Sequence, residues 1–523
     1  MITRRQTLRL AAALGLAPAL SACGDGGSSN GGGDGLPTYD YTGPLGPATL
    51  FSHGVASGDP LPDRVILWTR VTPADAAASL EIFWEIAEDP DFTLRRNAGR
   101  TRAVADVDYT VKIDADRLQP GTDYYYRFRA LGRETMLGRT RTAPSGAVAN
   151  VRFAVASCSN YAFGYFHSYR HIAAREDLDA VLHLGDYIYE YGDGEYGDLR
   201  PLDPPYEILT LDDYRRRYAH YHTDADLQAL HARHPMIAVW DDHESADNSW
   251  RDGAVNHDAD EGEWRARRTA AERAYREWMP IRTGDDGRIW RTLRYGDLVD
   301  LFMLDTRLWG RDAQLSPSDP GFLDPARTIL GADQEAWLDE QLRDSTARWR
   351  LLGQQVMLGP WKLLGLPNSI GGGNIANEDQ WDGYRAARAR LFGLLREQAI
   401  DNVVVLTGDL HMSWALDLND DPNEPLAYDP VTGDGSIAVE FVVPSVTSPG
   451  LPGGNPQFRD LFLSQNPHIL WGDVETHGYV VLDVTPERAE ASYLHVGDIE
   501  QRGSGESVAS TWTVLDGANR LRR

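Results

Sequence analysis

Cysteine is almost missing from this chain. Cys23 and Cys158 are the only two in 523 residues, so a disulfide-stapled scaffold is excluded. Basic residues are scarce too: 51 Lys and Arg stand against 78 Asp and Glu, a formal net charge of −27. A surface that negative repels phosphate backbones, which argues against a nucleic-acid scaffold as partner. A long apolar run is also lacking at the N-terminus, where Leu10 to Leu20 falls short of the ~20 residues a spanning helix needs. What remains is ordinary for a soluble protein: 42% hydrophobic and 25% charged residues. At ~100–200 residues per domain, the length implies two to four domains with a large core.

The first residues read as an address. Arg4-Arg5 precedes the Ala-rich run Leu10 to Leu20, and Leu20-Ser21-Ala22-Cys23 follows. Basic, apolar, then small residues is the order of a cleaved export signal, and the paired arginines point to the Tat route. Leu20 to Cys23 resembles a bacterial lipobox, which would make Cys23 a lipid-anchored N-terminus after removal of residues 1–22. Ordinary cleavage nearby is the alternative. Loss of Arg4, Arg5 and Arg9 then takes the net charge from −27 to −30, and no transmembrane helix is expected after processing. Gly/Ser/Asn/Asp from 24 onward makes 23–45 a flexible tether. The expected location is periplasmic or cell-surface.

Residues 46–143 read as an all-β, fibronectin/Ig-like sandwich. Val65–Val71, Leu80–Ile86, Tyr109–Ile113 and Tyr124–Ala130 are β-branched or alternating runs separated by Gly/Pro/Asp turns. Leu118 to Tyr126 resembles the tyrosine-bearing turn of fibronectin-type modules. From 150 to 497 the texture becomes α/β. Strands are expected at Val151–Ala156, Ala180–Leu184, Met236–Trp240, Val299–Leu304, Arg350–Val356 and Asn402–Leu406. Helices are expected at Tyr165–Glu176, Glu263–Met279 and Ala386–Gln398. Residues 498–523 are expected to be a tail, mobile or lid-like.

The chemistry sits where strands end. Ser157-Cys158-Ser159-Asn160, Gly185-Asp186-Tyr187-Ile188-Tyr189-Glu190, Asp241-Asp242-His243-Glu244 and Thr407-Gly408-Asp409-Leu410-His411 each follow an apolar run. In α/β proteins the carboxyl ends of strands converge on one crevice. Clustered carboxylates repel and would protonate unless cations neutralise them, so the pattern points to a site for more than one metal ion. Taken singly, each residue has a structural reading: Asp186 as a turn or cap residue, His243 as a hydrogen-bonded core histidine, Cys158 as a small buried apolar group, Tyr189 as packing.

Phe51-Ser52-His53-Gly54-Val55-Ala56-Ser57-Gly58-Asp59-Pro60, the four strand-end motifs and His477-Gly478-Tyr479 resemble, in order, the signatures of PhoD-type alkaline phosphatases. The resemblance spans about residues 50 to 485. It implies a four-layer α/β/β/α, calcineurin-like metallophosphoesterase core behind the β-sandwich. It implies hydrolysis of small phosphomonoesters and phosphodiesters outside the cytoplasm, by a hydroxide generated at an iron(III)–calcium centre. Cys158, Asp186, Tyr189, Asp242, Asp409 and His411 would be ligands, with Asp186 and His243 catalytic. Compared with the wider metallophosphoesterase pattern, Cys158 stands near the first Asp-x-His, Asp242 at an asparagine and Asp409 at a histidine. Oxygen donors suit calcium, and a phenol such as Tyr189 stays deprotonated at neutral pH only beside a strongly acidic ion. Asn248 and His477 flank the motifs, and Arg385 and Arg388 are candidate phosphate contacts. Two other functions remain: a zinc- or manganese-dependent phosphodiesterase or nucleotidase, and a surface-anchored binding protein on an inactive hydrolase fold.

Overall fold

A computed structural model describes residues 35–74, 79–284, 286–451 and 456–523. The signal segment and most of the tether lie outside the described residues. Among those described, no helix is long and apolar enough to cross a membrane.

The structure is mixed α/β with several sheets. The first is ten-stranded. Its centre is four parallel strands, Val151–Ala156, Ala180–His183, Pro235–Ala238 and Val55–Leu61. The three that precede the strand-end motifs are buried nearly throughout, as expected of parallel strands covered on both faces. The second sheet has seven strands, with Val299–Met303, Trp349–Gln354, Val403–Thr407 and Ala438–Val442 parallel.

Alternation along a strand decides which layer each residue joins. Leu301 and Met303 share a core with Phe153, Val155 and Ile237 of the first sheet and with Ile172, Tyr218 and Trp278 from helices. Phe302, between them, joins the other core, with Leu338 and Leu342 of helix Ala332–Asp344 and Leu391 and Leu395 of helix Arg385–Glu397. The sheets are also tied by polar contacts: Trp349 Nε1 donates to the Thr485 carbonyl at 2.7 Å, and Tyr493 Oη to the Trp414 carbonyl at 2.6 Å.

The structure refines two sequence expectations. The N-terminal module shares the ten-stranded sheet with the strands of the α/β core. Its five-stranded sheet packs through Ile82, Trp84 and Phe128 onto Val65, Leu67 and Val111. Those three belong to Arg64–Arg70 and Thr110–Ala115, which with Val55–Leu61 form the edge of the ten-stranded sheet. The join is tight: a Cβ on Gly58 would lie 2.4 Å from the Met236 carbonyl oxygen. Within this module the Gln119 N–H donates to Tyr124 Oη at 2.7 Å, tying the turn that carries the tyrosine. The expected tail, 498–523, is also corrected. Glu506–Leu515 and Leu521–Arg522 are strands of the first sheet, and Trp512, Val514 and Leu521 enter its core. Apolar side chains two apart place one face of Glu506–Leu515 inward.

Candidate metal centre

The turns that leave the strands are strained. Cys158 (φ 63°), Asp186 (φ 56°), Asp409 (φ 61°) and His411 (φ 56°) all have left-handed backbones, a conformation costing ~1–3 kcal/mol at a non-glycine residue. Hydrogen bonds between strand ends hold them there. The Cys158 N–H donates to the Gly185 carbonyl at 3.1 Å, and the Ser159 N–H to the Asp186 carbonyl at 2.8 Å. The buried Glu244 carboxylate accepts from three backbone N–H groups, of Asp186 (3.1 Å), Tyr187 (2.7 Å) and Asp241 (2.8 Å), locking the second strand end to the third. Gly185 is required by the same approach: a Cβ there would meet the Asp241 backbone nitrogen at 2.5 Å.

The strand ends thereby collect three overlapping groups of metal-competent donors, each with its atoms within 4.8 Å: Cys158, Asp186 and His411; Asp186, Asp242 and His243; Asp241, Asp242 and Asp409. Tyr189 joins the first group, donating through its hydroxyl to Asp186 Oδ2 at 2.9 Å, with His411 Nε2 3.3 Å away. His411 Nδ1 donates to the Pro449 carbonyl at 2.8 Å, which leaves Nε2 facing the cluster.

Electrostatics make these groups costly without cations. Burial, reinforced by Asp186, raises the Cys158 thiol and the Tyr189 phenol well above their usual values. Burial also raises Asp409 to about 6 and Asp241 well above the carboxylate range, although Arg307 opposes both. Burial would raise Asp242 too, but Arg307 and His243 overcome it and hold the group below its usual value. One oxygen of Asp186 (Oδ1) and one of Asp241 (Oδ2) are buried with no hydrogen-bond partner among the described residues. Two orphaned carboxylate oxygens beside a thiol and a phenol fit cations, which would supply the missing partners.

His243 is prepared differently. Its Nδ1 donates to Glu190 at 2.7 Å. Burial favours the neutral ring, but Glu190, Asp242 and Asp186 override it and hold the imidazole's pKa well above 6.5. Glu190 is fixed in turn by the Asp247 N–H (2.7 Å) and the Asn256 amide (2.9 Å).

The structure thus gathers all the expected ligand residues with His243. It does not do so for the other candidates. Asn248 binds Asp242 through its backbone N–H at 2.6 Å while its side chain turns to Asp247. His477 contacts the Ser448 carbonyl at 3.1 Å. Arg388 pairs with Asp382 at 2.9 Å and Arg385 lies over the Phe322 ring, so neither touches the clustered donors.

Sequence reasoning missed the cation at the heart of the site. Arg307, fully buried, donates to Asp241, to Asp379 at 2.7 Å and to Asp409 at 2.6 Å, and lies 3.6 Å from Asp242. Asp379 is shared with buried Arg311, and Gln380 donates to the second oxygen of Asp409 at 2.7 Å. The signal for Arg307 was available in the strand-end rule itself, because Asp305-Thr306-Arg307 follows the strand Val299–Met303.

Comparison with known proteins gives a consistent picture. The family model for PhoD-like phosphatase matches residues 153–493, and that for the PhoD-like phosphatase N-terminal domain matches residues 45–144. Alkaline phosphatase D of Bacillus subtilis (strain 168) is 37% identical over 495 residues, covering 90% of this chain and 82% of the relative. A solved structure of PhoD superposes with a TM-score of 0.83 at 36% identity, covering 92% of this chain and 93% of the other.

Proposed function

Since the chain belongs to the PhoD-like phosphatase family and is a phosphoric ester hydrolase, we propose that it is a metal-dependent enzyme acting outside the cytoplasm on small phosphomonoesters and phosphodiesters. The observation that carries the metal reading is Asp186: it belongs to two of the three donor groups and keeps a buried oxygen without a partner. A carboxylate so placed would be a ligand common to two ions. Cys158, Tyr189 and His411 would share one with it, an iron(III) as the resemblance to PhoD-type enzymes implies, and Asp242 and Asp409 would share a calcium, which oxygen donors suit. Asp241 would add a further oxygen. Zinc or manganese is the alternative loading. The four-layer α/β/β/α core and N-terminal sandwich are the scaffold we assign to this activity. Tat export and a lipid anchor at Cys23 rest on the N-terminal sequence.

Bound cations would neutralise the phosphoryl oxygens and acidify a water near neutral pH. The protein's own groups do the rest. Arg307 keeps Asp241 and Asp409 oriented and offsets their mutual repulsion. The buried walls exclude bulk water, which strengthens every charge interaction inside. His243 holds one proton against Glu190 at Nδ1, so the proton at Nε2 is the one free to meet the departing alkoxide.

Metal analysis and an absorption spectrum of the purified enzyme, with p-nitrophenyl phosphate and bis-p-nitrophenyl phosphate assays, test this reading. Iron, calcium and a visible phenolate-to-iron band are expected. A colourless, zinc-loaded active enzyme overturns the iron assignment. Asp186→Asn should lose activity about 10³-fold, of the order seen when a centre's main charge-stabilising group is removed. Full activity in that variant overturns the site.

A further inference from the structure

The segment 192–205 carries one aromatic residue back to the site. Tyr196 lies 24° from parallel to the His243 imidazole with ring centroids 6.1 Å apart. It also packs against Tyr189 at 5.6 Å and Tyr191 at 5.5 Å, and Tyr191 flanks His243 at 5.6 Å. The placement is anchored rather than incidental. Asn160, from the first strand-end motif, donates its amide to the Tyr196 carbonyl at 2.7 Å. A Cβ on Gly197 (φ 124°) would strike the Ala162 backbone at 2.9 Å. Arg200 is pinned to Asp224 at 2.6 Å. The loop is therefore sewn at Tyr196 and just beyond it to the turn after the first strand and to the start of helix Ala225–Arg233. Tyr189 is buried, whereas Tyr191 and Tyr196 keep part of their surface open to solvent.

We propose that Tyr196, backed by Tyr191, forms a leaving-group subsite that receives a flat aromatic alcohol moiety, a nucleoside base or an aryl ring. This rests on the reading of His243 as the group that meets the departing oxygen: whatever is bonded to that oxygen must lie beside the His243 ring, and the open aromatic surface next to that ring belongs to Tyr196 and Tyr191. An aromatic face stacks flat groups of any identity, so the subsite selects a shape class and not one base. An aliphatic alcohol such as glycerol gains little there.

The test compares two monoesters whose leaving groups are both primary alcohols, adenosine 5′-monophosphate and glycerol 3-phosphate, by release of inorganic phosphate. Their similar leaving-group acidity isolates stacking from chemistry. Native enzyme should favour the nucleotide in kcat/KM, mainly through KM. Tyr196→Leu, which keeps apolar bulk without a flat face, should lower the nucleotide-to-glycerol ratio about tenfold, within the range of one base stack. Tyr196→Phe should retain the ratio. Equal losses on both esters in Tyr196→Leu would mean that the ring only braces His243, and overturn the subsite; so would an unchanged ratio. Native enzyme that turns over neither ester overturns the functional reading beneath it as well.

Discussion

Asp186 and Tyr187 are neighbours in sequence yet face two different buried polar regions. On one side Asp186 looks into the donor groups described above. On the other, Tyr187 Oη sits between two imidazoles, 3.0 Å from His222 Nε2 and 2.7 Å from His231 Nε2, donating to one and accepting from the other. His183 makes a similar contact with Tyr169 Oη at 2.8 Å. Both regions are buried and titratable, but they meet the cost of burial in opposite ways. The histidine side gives up charge: burial pushes His183 and His231 down to about 3 and His222 well below its usual value. The carboxylate side compensates charge, with Arg307 inside holding Asp242 below its usual value and orphaned oxygens left for cations. A buried polar group is stable when neutral and hydrogen-bonded, or when charged and paired. Function needs the second kind, since only fixed charge can act on a phosphate.

The contrast can be broken most severely at Arg307. Arg307→Gln leaves Asp241 and Asp409 without their buried cation and should destabilise the fold by about 3–5 kcal/mol in denaturant unfolding. A loss below about 1 kcal/mol would show that the carboxylates are neutralised by other means.

The histidine side should fail in acid. Its folded pKa values lie below the unfolded value of about 6.5, so the unfolded chain binds more protons between about pH 6.5 and 3. Stability is complete above that window and falls as the pH drops through it, by about 1.4 kcal/mol per pH unit for each ring. Removing one ring in His231→Gln should flatten the measured stability–pH slope by about that amount. An unchanged slope would contradict the neutral-ring account.

The smallest effect sharpens the comparison. Tyr187→Phe removes the hydroxyl shared by two rings and should cost about 1–2 kcal/mol, read from the unfolding midpoint. Phosphatase activity should stay within a few-fold of native, because the change falls on the far side of the segment from Asp186. A large loss of activity at normal stability would mean that the two regions are coupled.

Much of this layout was readable from the chain. Six of the parallel strands announce themselves as short, largely apolar runs, and their observed spans, such as Val151–Ala156 and Val403–Thr407, lie within a residue or two of those expected. Polar residues after such runs are conspicuous because nothing in the strand pattern calls for them, which is why Cys158, Asp186, Asp242 and Asp409 stand out. Less was readable where the signal is weak or remote. The helices Leu211–Tyr221 and Ala225–Arg233 are short and carry many polar residues, which blurs their periodicity. Asp241 is not among the expected ligands, since only the folded site shows that one of its oxygens lacks a partner. Arg388 looked available for phosphate because a buried Asp382 six residues earlier gave no hint of being its partner.

By itself the sequence determined the local menu: which segments are strands, where each one ends, and which chemical groups stand at those ends. These follow from side-chain periodicity and backbone preference over a few residues. Only the tertiary structure decided how those ends are joined and charged. It paired Val55–Leu61 with Pro235–Ala238 to merge the N-terminal module into the catalytic sheet, turned the last residues into edge strands, folded Tyr196 onto His243, and set Arg307 among carboxylates from three separate segments. The reason is physical: strand pairing and charge compensation depend on distances between residues far apart in the chain, and those distances exist only once the core has closed.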